Sequence, residues 1–273
     1  MSLAKRKQED EGILVLDAGN SRLTMAGCRP SLHLPGVGGQ GAADWQALPP
    51  LDGVRHLDNP PPGASAHASF LAEVAAFSGD PAFKSRVLVS VVPALTVALA
   101  GVLPDVEILD HTWPTPFVWG VSDPAAVGPD RIANVALAAA CGLRDALVVD
   151  AGTATTFDLL AGGVFRGGMI APGMAFAARK IGEAAARLDP APFGPCPLEV
   201  GVDTARALAA GSWHAGRFGI LGTIDGLLEV YGERPVILTG GLARFLQRPG
   251  WVHDPWWTLR GAAWMAVSRK PAP

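Results

Sequence analysis

The sequence predicts an α/β protein built as two related halves, and three observations carry that reading. The first is Ala146-Leu147-Val148-Val149-Asp150-Ala151-Gly152-Thr153-Ala154-Thr155-Thr156-Phe157-Asp158, an apolar run that delivers an Asp, a Gly and several hydroxyls in one tight turn. The second is its echo about half the chain earlier, Ile13-Leu14-Val15-Leu16-Asp17-Ala18-Gly19-Asn20-Ser21-Arg22-Leu23-Thr24. Apolar runs without alternation read as strands buried on both faces, and Gly lets the backbone turn sharply and approach a ligand. Both copies therefore read as strand-turn-strand. The third is the alternation of strand and helix patterns around them, which implies a parallel sheet covered by helices. An internal repeat outranks any single motif as fold evidence. Two such halves facing each other would bring both turns to one cleft.

Composition narrows the class. With 273 residues, 49% of them hydrophobic, the chain can bury a full core. A net charge of −3 argues against a phosphate-backbone footprint and so against a nucleic-acid partner. Cys28, Cys141 and Cys196 are odd in number and widely separated, without metal spacing, which fits a reducing cytoplasm. No apolar run reaches the length needed to span a bilayer. Residues 1–12 are polar and charged, without the apolar core of a signal peptide, and read as a disordered tail. The expected halves are 13–125 and 126–273.

Taken in order, residues 30 to 66 are rich in Gly and Pro and promise only short, irregular strands. Phe70 to Phe77 has helical spacing, Arg86 to Val92 is a strand stopped by Pro93, Ala94 to Leu103 is a short helix, and Val106 to Leu109 another strand. Trp113 to Val127 carries Pro114, Pro116 and Pro124 and reads as an extended loop. Ile132 to Leu143 is an Ala-rich helix, which sets Asp130 and Arg131 near a helix N-terminus, where free N–H groups and the dipole favour anions. After the second strand-turn-strand, Gly162 to Gly173 reads as a hairpin and return strand into a glycine turn. Helices are expected at Met174 to Arg187 and at Thr204 to Tyr231, the latter interrupted near Gly211 to Gly222. Val236 to Thr239 is one more buried strand, followed by a Gly240-Gly241 turn opening a helix, and Trp257 to Trp264 closes the chain as a helix. No GxxxxGK[ST] loop and no HExxH pair occurs, which removes the P-loop and zincin readings. The six histidines lack metal spacing, and Trp251, Trp256, Trp257 and Trp264 read as packing residues.

The Asp-Ala-Gly-Asn-Ser turn, the Asp-Ala-Gly-Thr-Ala-Thr-Thr turn and Thr239-Gly240-Gly241-Leu242 together resemble the phosphate 1, phosphate 2 and adenosine elements of the superfamily of actin, the heat-shock chaperone ATPases and sugar kinases. Within it the sequence most resembles the type III pantothenate kinases. Six collinear segments carry the likeness: Asp17 to Ser21, Gly128-Pro129-Asp130-Arg131, Asp150 to Thr156, Gly167 to Gly173, Asp203-Thr204 and Thr239 to Leu242. The resemblance implies duplicated ribonuclease H-like, actin-like ATPase domains with mixed sheets flanked by helices. It also implies ATP-dependent phosphorylation of pantothenate to 4′-phosphopantothenate, the first step of coenzyme A synthesis.

The roles it implies are specific. Asp17, Ala18, Gly19, Asn20, Ser21, Arg22, Leu23 and Thr24 would hold the ATP phosphates, with Asp17 meeting Mg²⁺ through phosphate or water. Asp130 would be the general base and Arg131 would orient pantothenate, with Gly128, Pro129 and position 121 lining its site. Asp150 would hold K⁺ or NH₄⁺, and Thr153 would contact ATP. Thr204 would reach pantothenate from the partner subunit of a homodimer. These residue types suit phosphoryl transfer, which asks for positioning and charge neutralisation more than for covalent help.

Three positions depart from the family pattern. Pro129 replaces an Ala, at a place where Pro suits a helix start. Val121 replaces a pocket Tyr, leaving Trp119 or Phe117 to supply the ring, and Asp203 replaces an Asn, adding negative charge that would repel an anionic substrate. Two other readings remain open: a non-catalytic accessory or regulatory paralogue, and a kinase for another small alcohol on the same fold.

Overall fold

A computed structural model describes residues 12–29, 48, 50–60, 64–103, 105–184 and 192–269. The expected tail, residues 1–12, lies outside the described residues except for Gly12, which already begins the first strand; most of 30–49 lies outside them too. In chain order the elements are β1 (Gly12–Ala18), β2 (Arg22–Cys28), β3 (Leu51–Asp58), α1 (Ala64–Ser78), β4 (Phe83–Ser90), α2 (Pro93–Val102), β5 (Val106–Ile108), β6 (Val118–Trp119) and α3 (Pro129–Ala140). There follow β7 (Ala146–Ala151), β8 (Ala154–Ala161), β9 (Val164–Pro172), α4 (Met174–Ala184), α5 (Thr204–Tyr231), β10 (Val236–Thr239), β11 (Val252–His253) and α6 (Trp257–Arg269).

The duplication is explicit in the strand order. The first sheet runs β3-β2-β1-β4-β5, and the second repeats it as β9-β8-β7-β10-β11, with β6 added beside β9. In the first sheet β1 and β2 are antiparallel while β1, β4 and β5 are parallel, so the sheet is mixed. The chain is thus an α/β protein with two mixed sheets flanked by helices.

By packing, the chain forms two compact units. One comprises the described residues of Met1–Arg144, Leu160–Arg166 and Trp256–Pro273; the other comprises Asp145–Leu159 and Gly167–Pro255. These units cut the chain differently from halves drawn at 13–125 and 126–273, because α3 packs on α6 and both lie on the first sheet. In the first unit Leu14, Leu16 and Leu88 bury against Val74 of α1 and Leu95 and Leu99 of α2. On this strand Ile13 and Val15 are buried as well, and α6 packs against β1. That two-sided cover explains the unbroken apolar run, each such side chain contributing about 1.5–3 kcal/mol on burial. In the second unit Leu147, Val149, Phe157 and Leu238 pack against Trp213, Ile224 and Leu228 of α5.

Several expectations need correction. Helix α5 is continuous over its 28 residues, with no break near Gly211 to Gly222. One buried row, Trp213, Ile220, Ile224 and Leu228, holds it on the core, and that packing outweighs the weak helix propensity of its glycines. Within the expected loop Trp113 to Val127, β6 pairs in parallel with β9, and a 3₁₀ turn forms at Pro124–Ala126. Residues 51–58, expected to be irregular, form the eight-residue edge strand β3. The Gly-Gly turn opens only a three-residue 3₁₀ segment, Ala243–Phe245.

Candidate active site

In the first unit the β1–β2 connection is a tight hairpin. Asp17 sits at the end of β1, opposite Thr24 of β2 and Val89 of β4. The Gly19 N–H donates to the Arg22 carbonyl at 3.0 Å, which leaves Asn20 and Ser21 exposed at the tip. Ala18 and Leu23 are fully buried and so anchor the turn rather than touch a ligand with their side chains. Strand β3 braces this hairpin: Arg22 Nε lies 3.2 Å from Asp58 Oδ1, and the Thr24 hydroxyl meets His56 Nδ1 at 3.2 Å. Desolvation and the neighbouring Arg22 charge lower the His56 pKa from its usual value, opposed by the Asp58 charge.

Helix α3 brings the second group. Gly128 is its N-cap, in the extended conformation that the residue before a proline prefers, and Pro129 occupies N1. A Cβ at position 128 would lie 2.5 Å from Asp130 Oδ1, so any larger residue here would displace that carboxylate. Asp130 Oδ1 accepts from the Arg131 N–H at 2.8 Å. Burial pushes the Asp130 carboxyl above the ordinary carboxylate range, opposed by that hydrogen bond and by the Arg131 charge. The hairpin and this helix start meet the same residue: the Val91 N–H donates to the Ala18 carbonyl at 3.2 Å, and the Gly128 Cβ position lies 3.7 Å from Val91 Cγ1. Both groups thus stand at the carboxyl ends of the parallel strands β1 and β4, where open α/β sheets bind ligands.

Beside Arg131 lies an aromatic cluster. The Arg131 guanidinium stands 5.8 Å from the Phe165 ring centroid, and Phe117, Trp119 and Phe165 pack edge to face or tilted at 5.0–6.0 Å. Of the two rings expected to stand in for the pocket tyrosine, Phe117 is only 6% exposed and serves the core, whereas Trp119 is half-buried. Val121 is half-buried just beyond β6.

In the second unit Asp150 ends β7 beside Thr239 of the parallel strand β10. A Cβ on Gly240, whose φ is +88°, would fall 2.3 Å from Asp150 Oδ1 and 2.8 Å from the Ala151 carbonyl oxygen, so the carboxylate and carbonyl border a cradle only glycine leaves open. The Thr239 hydroxyl next to it is buried without a hydrogen-bond partner among the described residues. Thr153, half-buried, is held in its turn by the Gly173 N–H, which donates to its carbonyl at 3.0 Å. Thr204 is the exposed first residue of α5. Asp203, expected to repel an anionic substrate, is the N-cap of that helix: its Oδ1 accepts from the Arg206 N–H at 2.8 Å, and its Oδ2 lies 3.5 Å from Arg206 Nε.

Oxygen donors of this kind suit hard cations. No group of three or more His, Cys, Asp or Glu gathers among the described residues. Sequence reasoning missed Phe165 and Asn59. Phe165 sits in a Gly-rich run that reads as a plain strand, and Asn59 is separated from the hairpin it touches by 40 residues.

A family profile described as type III pantothenate kinase matches residues 13–229. A type III pantothenate kinase of Hyphomonas neptunium is 32% identical over 249 residues, covering 86% of this chain and 89% of that one. One from Fervidobacterium nodosum is 31% identical over 193 residues, covering 68% and 77%. Among solved structures, a Baf family transcriptional activator of Campylobacter jejuni shares the fold with a TM-score of 0.54 at 21% identity, over 93% of this chain and 98% of that one.

Proposed function

The chain belongs to the type III pantothenate kinase family, and from that premise we propose how its residues carry out the reaction. The enzyme transfers the γ-phosphoryl group of ATP to the primary hydroxyl of pantothenate, giving 4′-phosphopantothenate and opening coenzyme A synthesis. We assign the base to Asp130 because its carboxyl is recessed at the start of α3 and raised in pKa by burial, the single observation that best supports the mechanism. A carboxylate so poised accepts the hydroxyl proton as the oxygen attacks phosphorus in line. Arg131 orients pantothenate through its carboxylate, its own guanidinium steadied over Phe165. Gly128, Pro129 and Val121 line the acceptor site. The hairpin Asp17 to Thr24 receives the ATP phosphates on backbone N–H and hydroxyl groups, and Thr153 contacts ATP.

Asp17 would meet Mg²⁺ through phosphate oxygens or water, and Asp150 with its neighbouring carbonyl would hold K⁺ or NH₄⁺. When bound, these cations supply neutralisation of the charge on the transferring group. The working unit in this reading is a homodimer in which Thr204 reaches pantothenate held by the other subunit. Support comes from the segment leading to Thr204, where Leu198, Val200 and Val202 are 69%, 93% and 82% exposed, apolar surface that a second copy would cover. Among the described residues no helix is long and apolar enough to cross a membrane, and we place the reaction in the cytoplasm.

The direct test incubates purified protein with Mg²⁺, ATP and pantothenate, with K⁺ or with Na⁺, and follows 4′-phosphopantothenate by mass spectrometry. Product formed with K⁺ is the expected result. ATP turnover that ignores pantothenate yet proceeds with another alcohol would overturn the substrate assignment.

A further inference from the structure

Beyond the residues already assigned, the first unit contains a side chain whose only evident task is to hold the phosphate hairpin. Asn59 follows the last residue of β3. Its Nδ2 donates to the Gly19 carbonyl at 2.8 Å, and its backbone N–H donates to the Ser21 carbonyl at 3.0 Å. Its Oδ1 is buried without a hydrogen-bond partner among the described residues.

A trans peptide is planar, with the carbonyl of one residue and the N–H of the next pointing to opposite sides. Asn59 draws the Gly19 and Ser21 carbonyls towards itself. The N–H groups of Asn20 and Arg22 are thereby turned to the other side of the hairpin. A turn left free would point carbonyl oxygens at an arriving anion part of the time; this one presents donors in one direction, as a backbone anion nest requires.

We propose that Asn59 is a positioning residue for ATP: by tying both turn carbonyls to the β3 side, it sets the hairpin amides for the nucleotide phosphates. This rests on the reading of Asp17 to Thr24 as the phosphate loop. Asn59 itself touches neither reacting group. The neighbouring Arg22–Asp58 and Thr24–His56 contacts hold the strands flanking the turn, whereas Asn59 reaches the carbonyls at its tip.

Two substitutions separate this role from general packing. Asn59→Ala removes the side-chain donor, and Asn59→Asp keeps the shape but can only accept, so it turns the Gly19 contact repulsive. Binding of MgATP without pantothenate, followed by calorimetry, and the two KM values are measured beside thermal unfolding. Each variant should weaken MgATP binding and raise the KM for ATP about tenfold, the worth of roughly one net hydrogen bond. The KM for pantothenate should stay within about twofold of the wild type on the same reasoning. A MgATP affinity equal to that of the wild type, or a parallel rise of both KM values, would overturn the role of Asn59 while leaving the kinase reading intact. Failure of the wild-type protein itself to bind MgATP would overturn the phosphate-loop reading and the role of Asn59 with it.

Discussion

At Asp130 two opposing effects meet: burial raises the carboxyl pKa, while the Arg131 N–H and charge draw it back. The raised value has a signed consequence for stability. A carboxyl whose folded pKa lies above its unfolded value favours the fold while protonated and loses that contribution as pH rises through the folded pKa. Asp130→Asn is therefore expected to unfold at a higher temperature than the wild type at neutral pH. The gap should close as pH falls toward the ordinary Asp value of about 3.9. Calorimetric scans across an acid-to-neutral series check this, and a variant less stable at neutral pH would contradict it. The acid limb of kcat/KM, which reports the free enzyme, should likewise lie above the ordinary carboxylate range, since the base must be ionised. Gly128→Ala would place a Cβ 2.5 Å from Asp130 Oδ1 and force the carboxylate to rotate. A displacement of about 1 Å lowers kcat by on the order of 10²-fold, with the KM for ATP unchanged.

At the scale of elements, α3 owes its position to α6. Trp257 Nε1 donates to the Asn134 carbonyl at 2.9 Å, the Thr258 hydroxyl donates to Asn134 Oδ1 at 2.9 Å, and a Cβ on Gly261 would lie 2.2 Å from the Ala133 carbonyl oxygen. Gly261→Ala should therefore cost about 1–3 kcal/mol, measured by urea unfolding, because backbone must move to admit it. Gly222→Ala should do the opposite. It lies inside α5 with open space around its Cβ position, so Ala is expected to add roughly 0.5–1 kcal/mol. The two contrasting glycines show what a sequence can and cannot carry. The apolar runs Ile13 to Leu16 and Leu147 to Val149 announced the central strands, since burial on both faces leaves a local pattern. Gly222 looked like a break because propensity is local too, and the packing of Trp213, Ile220 and Ile224 that overrides it is not. Likewise Pro129 and Asp130 could be set at a helix start from the chain alone, but the Phe165 ring under Arg131 depends on β6 pairing with β9.

At the scale of the molecule, the repeated strand order makes one turn design available twice, and the two copies have diverged in chemistry. The first, at Asp17 to Ser21, is braced by Asn59 and the β3 edge; the second, at Asp150 to Thr153, borders the Gly240 cradle. If Asp150 serves a monovalent cation, wild-type turnover should rise when K⁺ replaces Na⁺, and Asp150→Asn should abolish that response in a matched-salt assay. If Thr204 serves a neighbouring subunit, light scattering should give the mass of a dimer, and Val200→Asp should release monomers with little activity. The central claim is that this chain phosphorylates pantothenate using Asp130 as base. Its most direct test is the steady-state rate of 4′-phosphopantothenate formation by the wild-type protein and by Asp130→Asn, side by side in K⁺ buffer, with MgATP binding measured for both. The expected result is turnover by the wild type and a loss of about 10²–10⁴-fold in the variant, with MgATP bound equally. A wild type that makes no product, or an Asp130→Asn enzyme that keeps its rate, would contradict it.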